Sequence, residues 1–444
     1  MTSDYQKNSL SLIDAIAMGT GVMIGAGILA LTGQIAELAG NWFPAAFLVG
    51  AIVTAFSAYT YVKMSNSYPS AGGIGMILQK AYGPTTVAAG AALLMALSMV
   101  INESLVARTF ATYLMRGIGG EPSGWMIPVL ALGLIVFAYL VNAAGTRSVG
   151  LFSQVMATLK VGGIALFAIA ALWAGGVDFA PTSAQSATDP IGFVAAVALA
   201  ILAFKGFTTI TNSGAEIVEP HRNVGRAIVI SIAICVVIYL LVALAVGSNL
   251  TLDELIAAKD YSLAEAAEPA LGRTGFYLTI GLALVATTSG VIASVFAVSR
   301  MLAMLTEMKM IPHSHFGMPG TIRDHTLVYT VVIAGTLAVF FDLGRIAALG
   351  VFFYLVMDIL IHWGVWKNLR HDIGARGSIL LAAIAMDLVV LLAFAAMKLK
   401  SDPIIVLAAL VAMATVFLFE RVFLTRASRQ DDQQVTNHMH GHNK

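Results

Sequence analysis

Among the charged residues inside otherwise apolar stretches, three stand out. Lys160 lies in Ala157-Thr158-Leu159-Lys160-Val161-Gly162-Gly163, Lys205 in Ala203-Phe204-Lys205-Gly206-Phe207-Thr208-Thr209, and Glu103 in Val100-Ile101-Asn102-Glu103-Ser104. An ionisable group in such a stretch is costly and by default marks a path for substrate, ion or proton. Gly19, Gly21, Gly25 and Gly27 interrupt the first apolar run. Each costs a helix about 1 kcal/mol relative to alanine. In hydrocarbon a broken helix is tolerated only where its freed backbone groups face protein or a wet cavity. A break over Ile24, Gly25, Ala26 and Gly27 would present N–H groups and a half-helix N-terminus, which suit a carboxylate. The other reading of these glycines is close helix packing through small residues.

The composition sets what must position these groups. Of 444 residues, 59% are hydrophobic and 11% charged, against about 25% charged in soluble domains. The mean hydropathy is +0.86. So little charge cannot coat a soluble surface, which excludes a soluble enzyme, a nucleic-acid binder and a disordered scaffold. The apolar runs are too long for a barrel built of ~10-residue alternating segments. A net charge of +1 offers no field to attract nucleic acid. The single cysteine, Cys235, cannot form an intrachain disulfide and is read as a small core residue. No metal-ligand spacing stands out, although His438, His440 and His442 lie in the polar tail. No cleavable leader is expected, so the first run is read as a span that stays.

A helix crossing ~30 Å of hydrocarbon needs about 20 apolar residues. Such segments lie at roughly 12–37, 43–65, 84–115, 124–144, 150–174, 190–217, 226–248, 274–306, 326–342, 344–366, 378–397 and 402–424. The sequence therefore predicts an all-α polytopic membrane protein with twelve transmembrane helices. Short interfacial helices are expected in the 249–273 loop, and a disordered tail after about Thr425. Lys and Arg favour the loops holding Lys63, Lys80, Arg147, Arg222, Arg226, Arg300 and Lys309, which places both termini in the cytoplasm.

The sixth span is interrupted as well, by Lys205, Gly206, Gly214 and the polar run Thr208-Thr209-Ile210-Thr211-Asn212-Ser213. Spans one and six each open a set of five. Paired interruptions at equivalent places in two halves point to a transporter midplane site, and this favours the functional reading of the first-span glycines.

Here the residues resemble a family. Gly21-x-x-Ile24-Gly25-Ala26-Gly27-Ile28 resembles the first-helix motif of the amino acid–polyamine–organocation (APC) transporter superfamily. Ala203-Phe204-x-Gly206-Phe207, Ala215-Glu216, Pro220-x-Arg222-Asn223 and Arg226-Ala227-Ile228 are similar to its sixth helix and following loop. Ser299-Arg300-Met301-Leu302 with Ile311-Pro312 resembles the end of its eighth helix. The similarity covers about residues 10–425. It implies a LeuT-type fold: a 5+5 inverted repeat plus two extra helices. The repeats would be about 11–175 and 190–370 and the extra helices about 378–424, between cytoplasmic tails 1–10 and 426–444.

The resemblance also implies a small-molecule substrate, an amino acid or related amine, carried by alternating access in a bacterial inner membrane. Backbone N–H groups of Ile24, Gly25, Ala26 and Gly27 would hold its carboxylate, and carbonyls near Ala203, Phe204 and Gly206 its ammonium. Phe204 and Phe207 would occlude it; the alternative for both is packed core or a lipid-facing position. Lys160 would stand where sodium sits in sodium-coupled members, so no sodium is expected and a proton is the expected coupling ion. Its ammonium would reach first-helix carbonyls and the hydroxyls of Thr287, Thr288 or Ser289. The alternatives for Lys160 are a permanently charged pin and a snorkelling side chain.

This chain departs from the pattern at Lys205, usually uncharged, and at Thr208, where many members carry an acid. That argues against acid-resistance exchange. A Glu103–Lys205 pair is one expectation, with either a recognition role or that of an internal strut. The other is a single charge that selects an acidic or cationic substrate. Asp14 is read as an inner-gate residue with a basic partner or as a first-turn acid that favours the helix dipole. Asp358 and His362, which are four apart and share a face, are read as a pair lining the cytoplasmic vestibule, with a relay as the alternative; Asp387 lies in the eleventh span. Glu216 and Glu219 are expected to pair with Arg222, Arg226 or Arg147. Substrate exchange, polyamine transport and non-transporting nutrient sensing are the rival functions. No cofactor and no nucleophile–base set are expected.

Overall fold

The computed structural model describes residues 9–70, 72–120, 124–144, 147–176, 189–311 and 321–441. The side chains of Ala26, 147–155, Ala157 and 424–441 lie outside that description, as does Pro312. The helices are α1 (Leu12–Val22), α2 (Ile28–Ala39), α3 (Phe43–Ser67), α4 (Gly73–Tyr82), α5 (Thr86–Gly117), α6 (Met126–Ala143), α7 (Arg147–Gly175) and α8 (Pro190–Phe204). They continue with α9 (Thr208–Asn212), α10 (Pro220–Asn249), α11 (Leu252–Ala257), α12 (Ser262–Glu307), α13 (Ile322–Phe340), α14 (Leu343–Gly364), α15 (Gly377–Ser401) and α16 (Pro403–Gly441).

Eleven stretches among the described residues are long and apolar enough to cross a membrane. The difference from the expected twelve lies in the first span. It is divided into α1 and α2, and α2 runs through a turn at Gly40–Trp42 into α3. The sixth span is likewise divided, into α8 and α9. Tail residues through Gly441 continue α16 as helix instead of the expected coil. In the 249–273 loop, α11 and the start of α12 provide the expected short helices, with the chain bending at Gly272 (φ 68°).

Local chemistry sets the ends. Ser11 Oγ accepts from the Asp14 N–H at 3.2 Å, while Asp14 Oδ2 accepts from the Ser11 N–H at 2.9 Å, a reciprocal cap that starts α1. Asp14 thus has the first-turn role. Thr251 with Glu254 and Thr321 with Asp324 start α11 and α13 in the same way. Leu10 is pinned to the chain after α9: its N–H donates to Glu216 O, and the Val218 N–H donates to Leu10 O, both at 2.9 Å.

The packing follows from lipid as solvent. Trp173, Leu166, Phe340, Leu278 and Leu392 are exposed on the outer helices. Between helices in hydrocarbon, tight packing and hydrogen bonds hold the bundle instead of the hydrophobic effect. The deeply enclosed helix α5 packs against α6, α12, α13 and α14. The broken spans lie beside it at the centre.

Candidate functional site

The first span breaks at Ile24 (φ −84°, ψ 84°) and Gly25 (φ 177°, ψ −96°). The sixth tightens into a 3-10 turn over Lys205–Phe207. Two glycines let these interruptions touch. A Cβ on Gly27 would stand 2.7 Å from the Ala203 carbonyl oxygen, and one on Gly206 would stand 2.7 Å from Met23 Cγ and 2.9 Å from its nitrogen. The close-packing reading of the glycines therefore describes Gly27, and the break reading describes Ile24–Gly25.

Disrupting a helix frees carbonyls that hydrocarbon cannot solvate. Tyr239, buried on α10, supplies the donor. Its hydroxyl reaches the carbonyls of both Met23 and Ala203, the latter at 3.1 Å, and ties the two breaks together. Its ring packs on Phe204 at 4.8 Å. The sequence reading missed Tyr239, because a lone tyrosine in an apolar span resembles any core aromatic. Lys160 on α7 donates to the freed carbonyl of Gly21 at 3.4 Å.

A cavity of about 370 Å³ lies against these breaks. Gly21, Gly27, Lys160, Ala203, Lys205, Gly206 and Ser289 line it, joined by Met99 and Asn102 from α5 and Ser294 from α12. It extends past Met18, Thr209 and Ser213 to Ser9, Asp14, Glu216 and Arg300, the end of the molecule that carries Leu10. Of the predicted residues, Ile24, Gly25, Glu103, Phe204, Phe207, Thr287 and Thr288 do not line it.

Several side chains take partners other than those expected. Glu103 accepts from Ser294 Oγ at 3.2 Å, whereas Lys205 donates to the carbonyl and hydroxyl of Ser98 at 2.8 and 2.7 Å. The two charges are therefore not paired. Asn102, one residue before Glu103, faces the cavity; a residue's uncertainty in register had hidden it. Phe204 and Phe207 are fully buried, with Phe207 edge-on to Tyr61 at 5.2 Å, so both are packed core in this conformation. Thr287 and Ser289 donate to carbonyls of their own helix. Glu216 pairs with Arg300 at 3.1 Å, in place of the expected Arg222 or Arg226, because the chain after α9 ends beside α12. Arg147's side chain lies outside the described residues.

Asp358 and His362 do not face a vestibule: both are fully buried, as is Asp387. Outside the spans, Asp260 is pushed up from the ordinary carboxylate range by burial, against the opposing effect of the Gln34 amide that donates to it at 2.6 Å.

An all-helical membrane protein whose central cavity abuts two divided spans is built to pass a solute, and its relatives carry that function. A family model described as "Amino acid permease" matches residues 10–419. The chain belongs to the amino acid permease family, an APC-type transporter family and not one of enzymes. It is similar to the inner membrane transport protein YbaT of Escherichia coli strain K12, 29% identical over 87% of this chain and 89% of the relative. The methylthioribose transporter of Bacillus subtilis strain 168 is 24% identical over 77% of each chain. The cationic amino acid transporter 7, chloroplastic, of Arabidopsis thaliana is 24% identical over 81% of this chain and 66% of its own.

Proposed function

We propose that this integral membrane transporter carries amino acids by alternating access and couples them to protons through Lys160. One observation carries the reading: the Lys160 ammonium meets the freed Gly21 carbonyl in the cavity wall. A proton lost from that lysine would remove the charge that strengthens its bond to the first-span break, so loading the proton and shaping the site are coupled. The substrate carboxylate would enter at Gly27, which lines the cavity, and reach the N–H groups of Ile24 and Gly25 as the spans part, with its ammonium near the carbonyls of the sixth-span break. Charge-assisted hydrogen bonds of this kind are strong in a dry site.

In this reading α1, α2, α3, α8, α9 and α10 move against α5, α6, α12 and α13, the latter forming part of the frame. Phe204 and Phe207 then close over the substrate, the two five-span halves are inverted repeats, and both termini are cytoplasmic. The cavity opens toward the cytoplasm. No sodium site is invoked, since Lys160 holds that place.

Organic cations and polyamines fit less well. Mid-cavity, Lys160 and Lys205 line the walls, while the lining carboxylates Asp14 and Glu216 sit toward the mouth, Glu216 already bound to Arg300. Like charges in a low-dielectric cleft repel a cationic cargo.

Proteoliposome uptake of labelled amino acids under an imposed pH gradient tests the reading. Wild type should be stimulated by the gradient, and Lys160→Ala should lose the stimulation. Gradient-independent uptake that needs internal substrate identifies an exchanger, and binding without flux identifies a sensor. Neutral, acidic, basic and polyamine competitors compared on wild type and Lys205→Ala then read the substrate class. An unchanged ranking rules Lys205 out of recognition.

A further inference from the structure

Away from the cavity, Asp358, His362 and Asp387 form a second ionisable cluster, enclosed between α3, α14 and α15 with no solvent exposure. His362 Nε2 stands 3.4 Å from Asp358 Oδ2 and 3.5 Å from Asp387 Oδ2. From α3, Ser57 Oγ donates to Asp358 Oδ2 at 2.6 Å, and the Tyr61 hydroxyl donates to Asp358 Oδ1. Neither Asp387 oxygen and neither His362 nitrogen makes a hydrogen bond among the described residues, so the approaches of His362 to the two carboxyls are ion-pair contacts.

Among the described residues, the titratable groups facing the cluster are Tyr61 from α3, Tyr354 from α14 and the three members themselves. Among the described residues, the cation beside these groups is Lys205, whose ammonium lies 5.7 Å over the Tyr354 ring. Two ionised carboxylates against one imidazolium leave one negative charge uncompensated in the membrane interior, where an unpaired charge is not sustained. The donors divide the two acids: Asp358 has Ser57 and Tyr61 to stabilise an anion, and Asp387 has neither.

We propose that Asp358, His362 and Asp387 form a proton-binding site separate from the substrate cavity, with one proton on the Asp387 carboxyl and one on His362. The bound cluster is then neutral: carboxylate, imidazolium and carboxylic acid. It sits where α3 meets α14 and α15, so it registers the position of α3 by whether Ser57 and Tyr61 reach Asp358. Two side chains connect it to the transport site. The Tyr61 ring packs on Phe207 at the sixth-span break, and the Tyr354 ring lies under Lys205. Withdrawal of α3 removes the donors that keep Asp358 ionised, so the imidazolium proton passes from Nε2 to the Asp358 carboxylate and leaves a neutral imidazole. The site stands apart from coupling at Lys160 and does not depend on it.

Infrared difference spectra of the full chain in detergent test this without measuring transport. The wild type minus Asp387→Asn spectrum at neutral pH should contain a carboxylic acid C=O band, and the band should persist in the Lys160→Ala background. If Asp387→Asn does not fold, Asp387→Glu should shift the same band. Because Asn is the neutral isostere of a protonated Asp, Asp387→Asn should melt near wild type while Asp358→Asn melts lower. A carboxylate band in place of the acid band overturns the proposal. So does a melting temperature of wild type that falls on chelation and is restored by zinc alone, which would make a divalent cation the occupant. Loss of gradient-driven uptake in Lys160→Ala with the infrared band intact separates the two proton sites.

Discussion

One hydroxyl proton on Tyr239 serves two carbonyls, those of Met23 and Ala203. Removing a buried partner exposes the desolvation cost of what remains, about 1–3 kcal/mol. Tyr239→Phe should therefore lower the melting temperature in detergent and weaken transport together, although the ring stays in place. Unchanged melting with unchanged uptake would show that the breaks do not need this strap. At this scale the sequence was legible for types and poor for partners. Lys160 and Lys205 stood out because a charge in an apolar run is conspicuous. Asn102 facing the cavity while Glu103 turns to Ser294 was not legible, because adjacent residues on a helix point about 100° apart and the packing partner decides which faces inward.

Between elements, the crossing of the two broken spans depends on the absence of side chains. Gly206→Val should be among the most damaging single changes in the protein. Its side chain must enter space already held by Met23 and Val22, and overpacking of this kind costs about 1–3 kcal/mol or more. Loss of uptake with a lower melting temperature is expected, while Gly133→Ala on α6, where an added Cβ meets nothing within 4 Å, should be silent. Thermal unfolding and uptake on both variants check the contrast.

A second element-level prediction concerns the turn between α15 and α16. The Arg345 guanidinium donates to Asp402 at 2.6 Å and holds that carboxyl below its usual range. A carboxylate with a depressed pKa contributes stability above its unfolded value near ~3.9, and that contribution fades as pH falls through the lower folded value. Asp402→Asn should thus melt below wild type at neutral pH, with the difference closing in acid. A gap that widens in acid would contradict the pairing. The break positions themselves were readable from Gly25, Gly206 and the polar run after it. The cluster of Ser57, Asp358 and Asp387 was not, since contacts so distant in sequence leave no local pattern.

For the whole molecule, composition and apolar run length were enough to place it in a membrane, because lipid leaves its mark on every outward face. The one discrepancy in span number falls at the first span, where the division that matters for the site shortens the helix. The proposed orientation has its own test. Cys235 is fully buried, so a thiol introduced as Met18→Cys in the cavity wall should be the reactive one. A membrane-impermeant maleimide should label it in inside-out vesicles and leave right-side-out vesicles unlabelled; the reverse pattern would invert the topology.

The claim that a solute sits where the two interrupted spans meet is tested most directly by a cryo-electron microscopy map. The amino acid that is transported best should be present during imaging. Ligand density is expected between the Ile24–Gly27 backbone and the Ala203–Gly206 turn, with its carboxylate toward the former. Uninterrupted helical density through both spans, or ligand density bound elsewhere, would contradict it.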